Sequence, residues 1–149
     1  MARIGIWEDS GDFSGPLRGC LPARTVIGRH PAAFSEGFFD LLLVAPSARA
    51  WAGAGVIRCR TALLPGSALP LARVLTAQSA VSYGASPKDT LTISSLEGAQ
   101  ICVALQREII TLAGATLERQ EFVLPFPPGE DPERFLGLTG ARLLLTGNP

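Results

Sequence analysis

At 149 residues the chain has room for one core of ordinary size and not for two, and a domain of this length buries roughly two-thirds of its unfolded surface without needing disulfides or a structural metal. Thirteen basic and thirteen acidic side chains cancel, which argues against nucleic acid and against an anionic membrane surface as partners, because both reward a basic excess gathered on one face. Charged residues make up 17% of the chain, below the roughly 25% of typical soluble domains, so part of the surface is neutral and suited to a second subunit; the composition predicts a homo-oligomer.

The first nine residues contain a lone Arg3 and no long apolar run, which is not the pattern of a secretory signal. The longest apolar stretch, 38–46, is interrupted by Asp40 and is too short to span a bilayer. Cys20, Cys59 and Cys102 are odd in number and widely spaced, as expected of reduced thiols in a cytoplasm.

In chain order, residues 3–7 read as a short strand, followed by a glycine-broken loop over 8–19. A second strand is expected at 25–28 and a short helix at 31–37. The aliphatic run 40–45, ended by Pro46, suits a strand buried on both faces, as in a parallel sheet. Another strand, 56–64, stops at Pro65-Gly66. Ser67 then caps a helix reaching about Leu75, with Pro70 in its first turn. A strand over 78–83 ends at Gly84. This alternation of strand and helix implies right-handed parallel crossovers.

Beyond Gly84 the pattern changes. Thr90-Leu91-Thr92-Ile93-Ser94 alternates polar with apolar, and Ile101, Val103 and Leu105 keep the same period, so these strands are covered on one face only. A three-residue loop, Leu96-Glu97-Gly98, would set Ile93 opposite Ile101 and Leu91 opposite Val103, with Gly98 left-handed; a two-residue loop would set Ile93 against Cys102 and mix the faces. A second hairpin turning at Ala113-Gly114 would place Glu108 across from Arg119. Asp131-Pro132-Glu133 starts a helix, with a capping carboxylate before proline at the first helical position. Gly137 and Gly140 are expected to limit it, and 141–146 to return as a strand. The expected fold is mixed α/β in one domain: a short parallel sheet with crossover helices over 1–84, an antiparallel β-meander over 85–126, and a helix and strand over 127–149.

Chemistry-bearing residues are few. Glu8, Asp9 and Asp12 stand among glycines in the first loop, but their spacing fits no calcium or phosphate motif, and turn chemistry accounts for them; no metal site is expected. His30 is the only histidine. It precedes Pro31 without a nucleophile motif and reads as a loop residue. Cys59 lies between Arg58 and Arg60, yet strand neighbours point to opposite faces, so an inert thiol is expected. The loop after the third parallel strand gathers Ser82, Tyr83, Ser86, Lys88 (the single lysine beside twelve arginines) and Asp89. It lies beyond the carboxyl end of a parallel strand, where open α/β sheets place ligands. Lys88 is suited to a phosphate or carboxylate, and Asp89 to a cation or a hydroxyl. The competing reading is a plain connection turned by Gly84 and Pro87, with Lys88 and Asp89 solvated.

An aromatic-glycine pair, Tyr83-Gly84, then Asp89, a small antiparallel sheet to Leu124, and a Pro128-Gly129 turn before a helix occur here in the order found in the central domain of the muramyl (Mur) ligases. Over about residues 78 to 137 the chain resembles that domain. The glycine-rich loop ending in Gly-Lys-Thr is missing, as are the metal-binding acidic and histidine positions, so no ligase residue is carried over, and the resemblance implies a fold remnant more than an activity. The expected function is a non-catalytic domain that binds a partner or small ligand and self-associates. The alternative is a small enzyme acting on an anionic metabolite, with Lys88 as the anion contact. Nothing in the sequence specifies a cofactor.

Overall fold

The computed structural model describes residues 2–49, 57–73 and 75–149. Among the described residues ten strands form in chain order: β1 (Ile4–Trp7), β2 (Val26–Gly28), β3 (Phe38–Val44), β4 (Arg58–Pro65), β5 (Thr76–Tyr83), β6 (Leu91–Glu97), β7 (Gln100–Leu105), β8 (Ile109–Ile110), β9 (Thr116–Leu117) and β10 (Gln120–Pro125); one α-helix, α1 (Pro132–Thr146), follows. Eight strands make one sheet in the order β10-β7-β6-β5-β4-β3-β1-β2, and β8 with β9 forms a separate hairpin. The pairs from β2 through β6 are parallel, and β6, β7 and β10 are antiparallel. This is the mixed α/β sheet the residue patterns imply. The strand expected from Val56 begins at Arg58, and Val56 itself lies outside the described residues.

The parallel strands divide their side chains between two cores. Ile4, Ile6, Leu41, Leu43 and Leu63 point into one, and Trp7, Leu42, Val44, Ala62 and Leu64 into the other. Double-sided burial explains why these strands are aliphatic without alternation. On the first face lie Phe13 and Leu17 of the β1–β2 loop, together with α1. Phe34 of the 3-10 helix Pro31–Phe34 and Leu71 of the 3-10 helix Gly66–Arg73 cover the second. The latter helix starts one residue before the expected cap, so Ser67 stands inside it. Gly66 begins it, and the missing Cβ there leaves room for the carboxylate of Asp89.

Three other expectations are corrected. The helix from Asp131 does not stop at Gly137 or Gly140; it runs through residues 141–146, which form no strand. Glycine is costly inside a helix, by about 1 kcal/mol relative to alanine, but packing demands it here. A Cβ on Gly137 would lie 2.6 Å from Phe13 Cζ and 2.9 Å from the Tyr83 ring, and one on Gly140 would lie 2.8 Å from Leu91 Cδ1. These two glycines, three residues apart on one face, let α1 settle against the sheet. Gly147, at φ +81°, ends the helix instead.

The β6–β7 hairpin turns on two residues, Gly98 and Ala99, with Glu97 opposite Gln100 and Gly98 left-handed at φ +59°. Its faces are not scrambled, because a bulge at Ser94 shifts the register: Ser95 meets Cys102, but Ile93 meets Val103 and Leu91 meets Leu105. The β8–β9 register puts Ile109 opposite Leu117 and Ile110 opposite Thr116, one residue off the expected alignment, so Glu108 does not face Arg119. Those two short strands leave the meander as a side hairpin, and β10 returns to pair with β7. The meander is buried on one side: Ile101, Val103 and Leu105 are covered, while Val123 is 66% exposed. Among the described residues no helix is long and apolar enough to cross a membrane.

Candidate functional site

Among the described residues a single pair, Tyr83 with Leu91, joins the parallel half of the sheet to the antiparallel half. The seven residues between them must turn the chain within that small gap, and the surrounding structure holds them tightly. Ser82 and Thr90 clamp the base of the loop: each backbone N–H donates to the other's hydroxyl, at 3.4 Å from Ser82 and 3.2 Å from Thr90. Gln106, just after β7, donates from its side chain to the carbonyls of Pro87 (3.0 Å) and Asp89 (2.7 Å), and Arg107 donates to the Lys88 carbonyl (2.8 Å). A loop fixed by so many hydrogen bonds has a defined shape before any ligand arrives.

Asp89 is the buried charge of this loop, only 4% exposed. Its Oδ2 accepts the Ser86 N–H at 3.1 Å, while among the described residues Oδ1 takes no donor. The carboxylate sits against two glycines. A Cβ on Gly66 would come within 2.6 Å of Oδ1, and one on Gly84 within 2.7 Å of Oδ2. The plain-connection reading with a solvated Asp89 is therefore corrected for this residue, whereas Lys88 is exposed. Around Asp89 opens a cavity of about 340 Å³ lined by Gly66, Ser67, Gly84, Ser86, Lys88 and Glu133, with Ala85 and Leu69 beside them. Its size falls in the range of about 300–1,000 Å³ usual for small-molecule sites.

Of the five residues expected at a site, Ser86, Lys88 and Asp89 come together on this wall. Ser82 and Tyr83 are buried behind it. Ser82 serves the clamp, and Tyr83 is fully covered, its hydroxyl donating to the Val44 carbonyl at 2.7 Å. Burial, with the carboxylates of Glu133 and Asp12 adding to it, pushes the Tyr83 phenol well above its ordinary range, so it stays protonated.

Sequence reasoning missed Gly66, Ser67 and Glu133. The clue to Glu133 was present: a helix start at Asp131-Pro132 puts the next residue in the first turn, but only the docking of α1 brings that turn to the loop. Asp131 caps α1 by accepting the Arg134 N–H at 3.1 Å. The Glu133 carboxyl is raised from its ordinary range first by desolvation and then by the carboxylates of Asp131 and Asp89.

The other candidates have structural roles. Glu8, 4% exposed, accepts the backbone N–H groups of Phe13 (2.9 Å) and Ser14 (2.8 Å) as well as the Ser14 hydroxyl, and so shapes its own loop. Asp12 accepts from the Ser47 hydroxyl at 2.6 Å, and Asp9 pairs with Arg29 at 3.1 Å. His30 is exposed and accepts the Ala32 N–H on Nδ1 at 3.1 Å, capping the 3-10 helix behind it. Cys59 is fully buried, its thiol pushed up to about 11 by desolvation, while Arg60 reaches away to the Leu112 carbonyl.

No family model, curated protein or solved structure matches this chain. What the cavity does must follow from its own side chains and from the elements that hold them.

Proposed function

We propose that this protein is a non-catalytic domain that binds a small polar ligand in the cavity between the Gly84–Thr90 loop and the first turn of α1. One observation carries the reading: Asp89, at 4% exposure, lines a cavity of about 340 Å³ and has one carboxylate oxygen, Oδ1, with no donor among the described residues. The rest of the side chain is buried while this oxygen is not sealed off, so it offers a ligand or an ordered water an acceptor held in a fixed position. The position at the carboxyl ends of β4 and β5 agrees, since open α/β sheets hold ligands there.

The resemblance to the Mur ligase central domain belongs to the same proposal as a shared layout of this loop and the meander, with no ligase chemistry attached. A cytoplasmic setting is part of it too, supported by three free cysteines. So is self-association, for which low charge and the exposed apolar side chains of the meander speak.

A second reading, an enzyme acting on an anionic metabolite, draws its support from Lys88 on the cavity wall. Thermal-shift screening with sugar phosphates, nucleotides, amino acids and polyols separates the two. A ligand at a hundred times its dissociation constant adds about 2.7 kcal/mol of stability, which is readily measured. The binding reading expects at least one class to raise Tm, and Gly84→Ala, which drives a methyl into Asp89, to abolish the rise. The enzyme reading further expects a phosphorylated compound to be bound and turned over, and Lys88→Ala to remove its shift. A panel that moves neither Tm nor any loop resonance overturns both.

A further inference from the structure

We infer that the ligand of this cavity carries a protonated amine, held by the carboxylates of Asp89 and Glu133. The inference rests on the preceding proposal that the cavity is a ligand site, and adds the chemical class of what enters it. Three charged residues line the wall: Asp89, Glu133 and Lys88. They are unequal. Asp89 is 4% exposed, while Lys88 and Glu133 are exposed at the rim. Charge taken out of water acts more strongly than charge at the surface, so the potential inside the cavity follows the buried carboxylate.

Glu133 strengthens that sign. Its carboxyl lies close enough to Asp89 and Asp131 for their charges to oppose its ionisation. An arriving cation relieves this repulsion, whereas a phosphate or carboxylate would add to it. The hydrogen-bond inventory points the same way. Asp89 Oδ1 and the Glu133 carboxylate are acceptors, and Ser86 Oγ, which accepts the Lys88 N–H at 3.2 Å, keeps a second lone pair. An ammonium has three donors and no acceptor, which complements these carboxylate oxygens. Lys88 stands exposed at the rim and pairs with no carboxylate among the described residues, so it can meet an acidic group at the other end of the same molecule.

The test is titration of the uniformly labelled protein by amide NMR, following Gly66, Ser86 and Asp89. The probes are ethanolamine, glycine, glucosamine and putrescine, set against glucose, acetate, inorganic phosphate and calcium chloride. Amines are expected to move these three amides saturably, with glucosamine binding and glucose not. Asp89→Asn keeps the shape and removes the charge, so affinity should fall about tenfold or more. Should that variant fail to fold, Glu133→Gln at the rim gives the same direction with a smaller loss. Saturable shifts with phosphate, acetate, calcium or glucose, and none with amines, would overturn the amine class while leaving a ligand site in place. If no probe moves these amides, both the class and the site fall together. Amine binding that Asp89→Asn and Glu133→Gln leave unchanged would also overturn the inference.

Discussion

Glu133 stands in the first turn of α1, where a carboxylate ordinarily gains about 0.3–1 kcal/mol from the helix dipole. Here desolvation and the neighbouring Asp131 and Asp89 outweigh that gain and raise its pKa. In the folded protein it holds its proton more tightly than in the unfolded chain. Its share of stability is therefore complete below the ordinary glutamate pKa of about 4.3, and is lost as pH rises through the raised value. Glu133→Gln removes the penalty. Tm measured by circular dichroism should match the native protein in acid and exceed it at neutral pH, and a variant less stable at neutral pH would show that the dipole term wins. Asp89 illustrates what residue-level reading yields and what it lacks. The sequence places it in a loop beyond a parallel strand, but its burial follows from Gly84 and Ser86 of its own loop together with Gly66 from a separate segment.

At the scale of elements, α1 is the instructive case. Its start is written locally in Asp131-Pro132, and its length is not. Gly137 and Gly140 look like helix breakers until the sheet beneath them is seen, because close approach to Phe13, Tyr83, Leu63 and Leu91 leaves no room for a Cβ. Gly137→Ala should destabilise the fold. Overpacking against two buried rings falls in the upper part of the usual range, about 2–3 kcal/mol, against about 1 kcal/mol gained in helix propensity, leaving a net loss of about 1–2 kcal/mol in a urea melt. Gly140→Ala should lose less, since it meets the mobile ends of leucine side chains, whereas Gly137 faces two fully buried rings, one pinned by the Tyr83 hydroxyl. Equal stability of Gly137→Ala and the native protein would refute close packing as the reason for the glycine. The β6–β7 hairpin teaches a related lesson. Gly98 announces the turn, but the bulge at Ser94 that rescues the facing of Ile93 has no signature in the residues around it.

For the molecule as a whole, the sheet ends at β2 on one side and β10 on the other. β2 is three residues long and offers little to pair with, whereas β10 is six residues long and carries Val123 at 66% exposure on the uncovered face of the meander. An open edge of that length is a template for pairing with another chain. If the proposed self-association is correct and uses this edge, light scattering at tens of micromolar will give a mass above that of one chain, and Val123→Lys will shift it toward the monomer. A native protein that scatters as a monomer at that concentration removes the proposal.

The change from aliphatic runs buried on both faces to one-sided alternation after Tyr83 was legible without coordinates, because strand periodicity reports directly how many faces are covered. With it came the mixed sheet and the loop that bears Ser86, Lys88 and Asp89. Tertiary structure alone decided which of those side chains share a cavity, brought Gly66 and Glu133 to it, and turned two apparent helix breakers into the contact surface of α1. Local pattern encodes exposure along one segment; the meeting of segments distant in sequence depends on packing, where a missing methyl group can count for more than intrinsic propensity.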